Sequence, residues 1–214
     1  MKKSLVFIIT SVLVGGFMLS CSTNRGFVSS LTSADIQRVI QFDPLTFIQS
    51  SKGDTLKYND SLSVIAKSLF EIELSRSKTL PIKGNLVIED SDVNSRIQDE
   101  TYALMNLVNN VNVKSIPIPP TIDSILEARN ERFGLLVYNY GFIRSLGTAY
   151  TLPYKDTNSE IIIVDSQNNN LVYVATAKSE SSPLKAETYK KQVEDLLKKY
   201  KNESLIFKSK SINN

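Results

Sequence analysis

Two residue types that carry much of protein chemistry are scarce or missing in this chain. Its 214 residues include one cysteine and no histidine. An internal disulfide needs two cysteines, and zinc sites of the usual kind are built from cysteine and histidine. Acid–base catalysis by histidine is likewise excluded. We therefore expect no metal and no cofactor, and these absences narrow the function more than any residue that is present.

A large excess of charge of one sign is also missing. The formal net charge is +3, and two of the positive charges are Lys2 and Lys3. Removal of residues 1–20 would lower the net charge to +1. Domains that bind nucleic acid are usually much more basic, so we expect no DNA or RNA partner. The 42% hydrophobic and 22% charged residues are typical of a packed domain, and the length favours a single one.

The first twenty residues have the composition of a secretory signal. Lys2 and Lys3 precede an apolar run from Leu5 to Leu19, and Ser20 is a small residue suited to cleavage. The run has about 15 residues, whereas a helix that crosses a bilayer needs roughly 20. A permanent transmembrane helix is therefore the weaker interpretation.

The cysteine follows this run directly. The segment Phe17-Met18-Leu19-Ser20-Cys21 resembles the lipobox of bacterial lipoproteins, in which the cysteine is acylated and becomes N-terminal after cleavage. Met18 stands where that family commonly has leucine, so a plain cleaved signal and an uncleaved anchor remain alternatives. The resemblance implies lipidation at Cys21 and a stable membrane anchor. It also implies the outer membrane, facing the periplasm, because Ser22 replaces the aspartate of inner-membrane retention.

The lipobox divides the chain into three parts. Residues 1–20 are predicted to be the lipoprotein signal peptide. Residues 21–33 hold the lipidated cysteine and a tether, predicted to be flexible because Ser, Thr, Asn and Gly are frequent there. Residues 34–214 are predicted to form one globular domain.

Strand and helix patterns alternate along that domain. In its first half we predict a hairpin over 42–58, a helix to about Ser77, a strand over 80–89, a helix with an apolar stripe over 97–111 and an extended connector over 116–120. In its second half we predict a short helix over 121–129, a central strand over 133–143, a hairpin of strands 161–165 and 171–175, a helix through 189–200 and a last strand at 205–207. Asp60 or Ser61 is a candidate N-cap of the first helix, and Thr121 of the third. This order predicts an α/β fold (mixed α+β) with a mixed sheet and helices packed against it.

The same order of elements is loosely similar to that of the small α/β domains of CsgG-type and LpoB-type accessory lipoproteins. In those families such a domain assists a secretion channel or a cell-wall synthase. The similarity concerns the order of elements alone, and it implies a protein partner in the envelope.

Aromatic residues are concentrated in 133–154, where we find Phe133, Tyr138, Tyr140, Phe142, Tyr150 and Tyr154. Packing in the core or on a sheet face is the favoured interpretation. The alternative is a surface that binds a glycan or another small molecule, and its candidate residues are Tyr138, Tyr140, Tyr150 and Tyr154.

Candidate catalytic residues are weak. Ser75 with Lys78 and Ser182 with Lys185 match the Ser-x-x-Lys pattern, at about the frequency that chance gives in this composition. We predict no catalytic residue and no enzyme. The sequence therefore favours a lipid-anchored periplasmic accessory protein that binds a protein partner, with glycan or small-molecule binding as the alternative.

Overall fold

A computed structural model describes residues 26–52, 55–110, 113, 116–146 and 154–212. Within them the chain forms seven strands and four helices. The strands are β1 (Val39–Gln41), β2 (Leu45–Lys52), β3 (Thr55–Tyr58), β4 (Ile82–Asn85), β5 (Phe133–Leu146), β6 (Tyr154–Asp165) and β7 (Asn170–Ser179). The helices are α1 (Asp60–Ser77), α2 (Ser91–Asn110), α3 (Pro120–Ala128) and α4 (Ala186–Ile212). The predicted α/β class, with a mixed sheet and a single domain, is confirmed.

All seven strands belong to one mixed sheet organised around β5. On one side, β6 pairs with β5 and β7 pairs with β6, both antiparallel. On the other side, the first part of β5 pairs with β1 and its later part with β2, both parallel. β4 then adds to β1 in parallel, and β3 adds to β2 antiparallel. Two shorter strands thus lie end to end against one long strand, separated by a break at Pro44, which has no N–H to donate to a sheet.

The sheet is covered by helices on both faces. Residues 161–164 of β6 are four consecutive apolar residues, and each is 0% exposed. Successive strand residues point to opposite faces, so a run that is buried throughout needs cover on both. Ile161 and Ile163 belong to one hydrophobic core, and Ile162 and Val164 to the other. The protein is therefore a three-layer sandwich of helices, sheet and helices.

α1 and α4 cover the first face. On α1, Ala66, Phe70 and Leu74 recur at helical spacing and are buried. Each large apolar side chain buried in this way contributes about 1.5–3 kcal/mol to stability. The buried hydrophobic residues of α4 are Tyr189, Val193, Leu196, Leu197 and Tyr200.

α2 and α3 cover only part of the second face. Their buried residues are Ile97, Leu104, Met105 and Val108 from α2, and Ile122 and Leu126 from α3. They pack on the first part of β5 and on the positions beside it, of which Leu136 and Ile162 are fully buried. Tyr138 is the last residue of β5 that packs against this core. The remainder of that sheet face extends past the two helices.

The start of α1 differs in detail from the prediction. Asn59 is the N-cap, and its side-chain oxygen accepts a hydrogen bond from the Leu62 amide at 3.1 Å. Asp60 and Ser61, the predicted caps, already lie within the helix. Asn59 has the extended backbone of a cap residue, and asparagine is as good a cap as aspartate or serine, so composition alone could not choose among the three.

The start of α3 is held by another helix. Thr121, the predicted cap, lies inside the helix, which begins at Pro120. The carboxylate of Glu100 in α2 accepts hydrogen bonds from the amides of Thr121 at 3.1 Å and Ile122 at 3.2 Å. A negative charge at this end also interacts favourably with the helix dipole. Glu100 therefore replaces the missing local cap and joins α2 to α3.

Two further predictions need correction, and one strand was missed. The last strand, predicted at 205–207, is wrong, because these residues continue α4 to Ile212. A three-residue apolar run fits a helix as well as a strand, and here it extends a helix that is already formed. The strand predicted over 80–89 is shorter, Ile82–Asn85. β1 was not predicted, since three residues are too few to show a period.

The described part of the predicted tether is attached to the edge of the sheet. The Val28 amide donates to the Val172 carbonyl at 2.9 Å, and the Val174 amide donates to the Gly26 carbonyl at 3.1 Å. Residues 26–28 thus run antiparallel beside β7, with an isolated bridge at Phe27. This segment is part of the fold rather than a free linker.

An aromatic contact explains why the segment packs there. The ring of Phe27 lies 5.1 Å from that of Tyr173 and 5.4 Å from that of Tyr200, centroid to centroid. Phe27, Val28 and Leu31 are apolar residues in a stretch that is rich in Ser, Thr, Asn and Gly, and this overall composition hid the role of Phe27. Cys21 lies outside the described residues, and its lipidation stays a prediction.

Candidate binding surface

The second half of β5 carries a row of aromatic side chains on one face. Tyr138, Tyr140 and Phe142 alternate with Asn139 and Gly141, so they point to the side of the sheet that α2 and α3 partly cover. All three are half-buried. The row therefore begins beneath the helices and continues past them.

Neighbouring elements extend this row sideways. The ring centroid of Phe47 in β2 lies 5.8 Å from that of Tyr58 in β3 and 6.2 Å from that of Tyr138. Tyr102 of α2 lies 6.1 Å from Tyr138. All three contacts are edge-to-face, an arrangement that adds about 0.5–1.5 kcal/mol per pair to the burial of area. We call Phe47, Tyr58, Tyr138, Tyr140 and Phe142 the aromatic surface, and Tyr102 borders it.

Much of this region is open to solvent. Tyr58 is 64% exposed, Tyr102 50% and Leu56, next to Tyr58 on the same face of β3, 53%. Single exposed apolar residues are common on proteins, but a contiguous group of large ones usually marks a binding site. Aromatic residues are also enriched at the centres of protein interfaces.

Tyr138 and Tyr140 are neutral at physiological pH, because both pKa values are raised. Burial, with smaller effects from Tyr102 and Glu160, raises the pKa of Tyr138 to about 12. Burial also raises the pKa of Tyr140, whose hydroxyl donates a hydrogen bond to Gln49 Oε1 at 2.9 Å. These groups offer rings and neutral hydroxyls rather than charge.

The charges around the surface are balanced. The Arg144 guanidinium lies 5.6 Å from the centre of the Phe142 ring, a cation–π contact. The strand register places Asp156 and Glu160 of β6, and Lys178 of β7, on the same face. Among the described side chains, these two positive and two negative groups balance each other, so charge does not favour an anionic polymer or lipid as the ligand.

The structure places the predicted site residues in different positions. Tyr138 and Tyr140 lie on one surface, as alternation predicts. Phe133 is buried in the core on the opposite face, because it is odd-numbered on the same strand. Tyr150 lies outside the described residues. Tyr154 begins β6 and pairs with Arg144 in the register, and its side chain lies outside the described part.

Sequence reasoning missed two residues of the surface and the tyrosine that borders it. Phe47, Tyr58 and Tyr102 come from three elements that are distant from β5 in the chain. Tyr58 ends the predicted hairpin and Phe47 lies on its first strand, so alternation along that hairpin was the available signal. Nothing in the sequence placed the hairpin beside β5.

The Ser-x-x-Lys match at Ser75 and Lys78 lies in a cleft but lacks an activated nucleophile. Ser75, Lys78 and Glu71 line a cavity of about 430 Å³ between α1 and β4. The Ser75 hydroxyl donates to the Ile72 carbonyl of its own helix at 2.8 Å. Within the described part of the chain, no hydrogen bond joins Ser75 to Lys78 or Glu71. A general base in contact with the nucleophile is the first requirement of this chemistry.

Within residues 26–52, 55–110, 113, 116–146 and 154–212, no group of three or more Asp, Glu, His or Cys side chains is arranged to hold a metal ion. In the same ranges, none of the helices combines the length and the hydropathy that a membrane span requires.

The fold and this surface define a three-layer α/β domain with an aromatic sheet face. No family model matches the chain, and no curated protein sequence matches it. Solved structures similar to it include PelC from Paraburkholderia phytofirmans, a dodecamer, at 10% identity and a TM-score of 0.38, covering 80% of this chain and 91% of that chain. Lipoprotein GNA1162 from Neisseria meningitidis is similar at 12% identity and a TM-score of 0.30, covering 68% and 81%. The LpoB C-terminal domain from Salmonella enterica is similar at 6% identity and a TM-score of 0.33, covering 72% and 87%. Since these three TM-scores lie below 0.5, the similarities assign neither a family nor a function.

Proposed function

We propose that the protein is a lipid-anchored accessory module of the bacterial cell envelope that binds a protein partner through the aromatic surface, without catalysis. The observation that carries the proposal is the exposure of this surface beyond the cover of α2 and α3. A packed domain gains stability by burying such rings, so their exposure in the free protein favours a role in association.

The anchor part of the proposal rests on Cys21. The Gly26 carbonyl is hydrogen-bonded to β7, and Gly26 lies five residues after the acylated cysteine in the sequence. Even fully extended, five residues reach only about 18 Å. The edge of the sheet at β7 would thus stand close to the membrane.

The position of the aromatic surface suits presentation to a partner. Tyr58 lies on the edge of the sheet opposite β7, four strands away. In the register Tyr58 is level with Phe142 of β5, whereas Tyr173 is level with Leu135, seven residues earlier on β5. With strand spacings of about 4.8 Å and about 3.3 Å per residue, this separates Tyr58 from the attachment at Tyr173 by roughly 30 Å. The surface would thus lie near the edge of the sheet opposite the point of anchorage.

A glycan partner is less favoured by the ring geometry. Sugars stack on the open face of an aromatic ring. The rings from Tyr58 through Phe47 and Tyr138 to Tyr102 meet at 60–62° and direct edges onto neighbouring faces. They form an uneven apolar surface rather than a flat platform, which suits interdigitating side chains of a protein.

The proposal is tested by site-specific photo-crosslinking in intact envelopes. A photoreactive phenylalanine analogue replaces Tyr58 in one variant and Val87 in the control, and Val87 is a 75% exposed apolar residue away from the surface. We expect a discrete protein adduct from position 58 and none from position 87. Tyr102→Ala should reduce the adduct at position 58. Equal adducts from both positions, or none from position 58, would contradict the proposal.

A further inference from the structure

β3 is an open edge of the sheet next to the aromatic surface. Among the described strands it pairs only with β2, and its four residues are all exposed. An edge strand presents unpaired backbone groups on its outer side, and these form hydrogen bonds with an added strand.

The register identifies the outward backbone groups. The Asn59 amide donates to the Ile48 carbonyl at 2.9 Å, so this pair is hydrogen-bonded. Hydrogen-bonded pairs alternate along an antiparallel ladder, which assigns the next one to Lys57 with Ser50. The N–H and C=O groups of Leu56 and Tyr58 therefore point away from β2.

The side chains on the two faces of β3 differ in character. Leu56 and Tyr58 lie on the face of the aromatic surface, and Thr55 and Lys57 on the other. A strand added along β3 would continue the aromatic surface on one face and meet Lys57 on the other.

The other two edges of the sheet are protected in ways that β3 is not. Residues 26–28 cover β7. The pairing of β4 is interrupted by a register shift, and the Ile82 amide donates to the Leu80 carbonyl. Such irregularities are common protections of edges. The pairing of β3 with β2 is regular over all four residues.

We propose that the partner adds an extended segment along β3 as a further strand, with apolar side chains facing the aromatic surface and acidic side chains beside Lys57. This inference rests on the proposed function and specifies how the partner is bound. Main-chain hydrogen bonds would supply affinity, and alternate side chains would supply selectivity.

Charge favours an acidic segment over a second copy of this chain. If two copies paired antiparallel through the outward groups of Leu56 and Tyr58, the Lys57 side chains of both copies would lie opposite each other. Like charges at directly opposed positions destabilise a sheet pair, whereas opposite charges stabilise it.

Defined peptides test the proposal on the full-length protein in detergent micelles. The probe is a blocked octapeptide of alternating valine and glutamate, and the control alternates valine and lysine. We expect the glutamate peptide to slow amide hydrogen exchange at Leu56 and Tyr58. The lysine peptide should bind about tenfold more weakly, and Lys57→Glu should reverse this preference. Lys191→Glu, an exposed change on α4, should leave it unchanged.

Two N-methylated forms of the glutamate peptide separate strand addition from simple apolar contact. One is methylated at every valine and the other at every glutamate, and a strand uses only one of these edges toward β3. One form should therefore lose binding about tenfold while the other retains it. Binding that survives in both forms, or leaves Leu56 and Tyr58 unprotected, overturns strand addition.

Other outcomes distinguish this proposal from the one before it. Protection of Leu56 and Tyr58 that rises with protein concentration alone would indicate pairing between copies and overturn the partner strand. Equal binding of the two unmethylated peptides would overturn the acidic preference. A crosslink at position 58 without strand protection would retain the aromatic surface as a partner site, whereas loss of that crosslink would remove the proposed function itself.

Discussion

At the scale of the residue, Glu131 is a buried carboxylate that forms ion pairs with two cations, Arg38 directly before β1 and Lys83 within β4. It is 7% exposed, and its oxygens lie 2.8 Å from Lys83 Nζ and 2.7 Å from an Arg38 guanidinium nitrogen. The hydrogen bond from Lys83, opposed by burial and aided by Arg38, holds the pKa of Glu131 below its usual range. This carboxylate connects β4, the start of β1 and the start of β5.

We predict that Glu131→Gln lowers the free energy of unfolding by about 1–2 kcal/mol at pH 7, because both cations are half-exposed and the pair is partly screened. A carboxyl whose pKa is lowered by folding stabilises the protein above its unfolded pKa, about 4.5, and loses that contribution as pH falls through the folded pKa. The difference between variant and parent should thus shrink below about pH 4. Urea unfolding across pH measures it, with the exposed Glu89→Gln as a control that should show no such difference.

Gly141 is a second constrained residue, behind the aromatic surface. A Cβ there would lie 2.7 Å from Ile48 Cδ1 and 2.8 Å from Pro183 Cβ. We predict that Gly141→Ala destabilises the protein by about 1–3 kcal/mol through overpacking. Gly84→Ala is the matched control, since nothing lies within 4 Å of its added Cβ, and it should be neutral or slightly stabilising. If the two variants had the same unfolding temperature, the loop at Pro183 would be able to move enough to accommodate the added methyl group.

At the scale of the element, the capping of α3 by Glu100 couples two helices of one layer. We predict that Glu100→Ala costs about 0.5–2 kcal/mol, the usual effect of losing an N-cap. Amide exchange at Thr121 and Ile122 should accelerate in this variant. Asp99→Ala, an exposed change one residue earlier, should alter neither quantity. Unchanged exchange in Glu100→Ala would mean that solvent satisfies these amides equally well.

How far the elements could be predicted depends on their length and on the range of their contacts. The α1 helix follows from an apolar stripe at helical spacing, Leu62, Ile65, Leu69 and Ile72. The stripe predicts the helix but not its buried face, because Ile65 and Ile72 are exposed and Ala66, Phe70 and Leu74 are buried instead. The β6–β7 hairpin follows from its two apolar runs. The segment 205–207 failed because three residues cannot distinguish periods of 2 and 3.6. The same limit hid β1, whose existence depends on pairing with β4 and β5.

The candidate site divides in the same way. Alternation along one strand placed Tyr138 and Tyr140 together, because that relation is local. Phe47, Tyr58 and Tyr102 join them through the parallel pairing of β2 with β5 and the packing of α2, which no local pattern encodes.

At the scale of the whole molecule, Phe27 attaches the first described residues of the chain to the edge of the sheet. Its contacts with Tyr173 and Tyr200 hold residues 26–28 against β7. We predict that Phe27→Ala lowers stability by about 2–3 kcal/mol and exposes this segment to proteases, since the half-buried ring leaves an unfilled site. Limited proteolysis with N-terminal sequencing measures the release. The control Gln37→Ala, at an exposed position, should remain resistant, and equal resistance in Phe27→Ala would show that the backbone bonds suffice.

The end-to-end arrangement of β1 and β2 along β5 has a consequence for cooperativity. Because the two short strands pair with different stretches of the long one, we expect the hairpin of β2 and β3 to unfold locally at a lower free-energy cost than β1, β4 and the core beneath α2 and α3. A partner bound at that hairpin would then raise the free energy of opening of the hairpin and leave that of the rest of the sheet unchanged. The sheet would thus respond to its partner as two units of different stability.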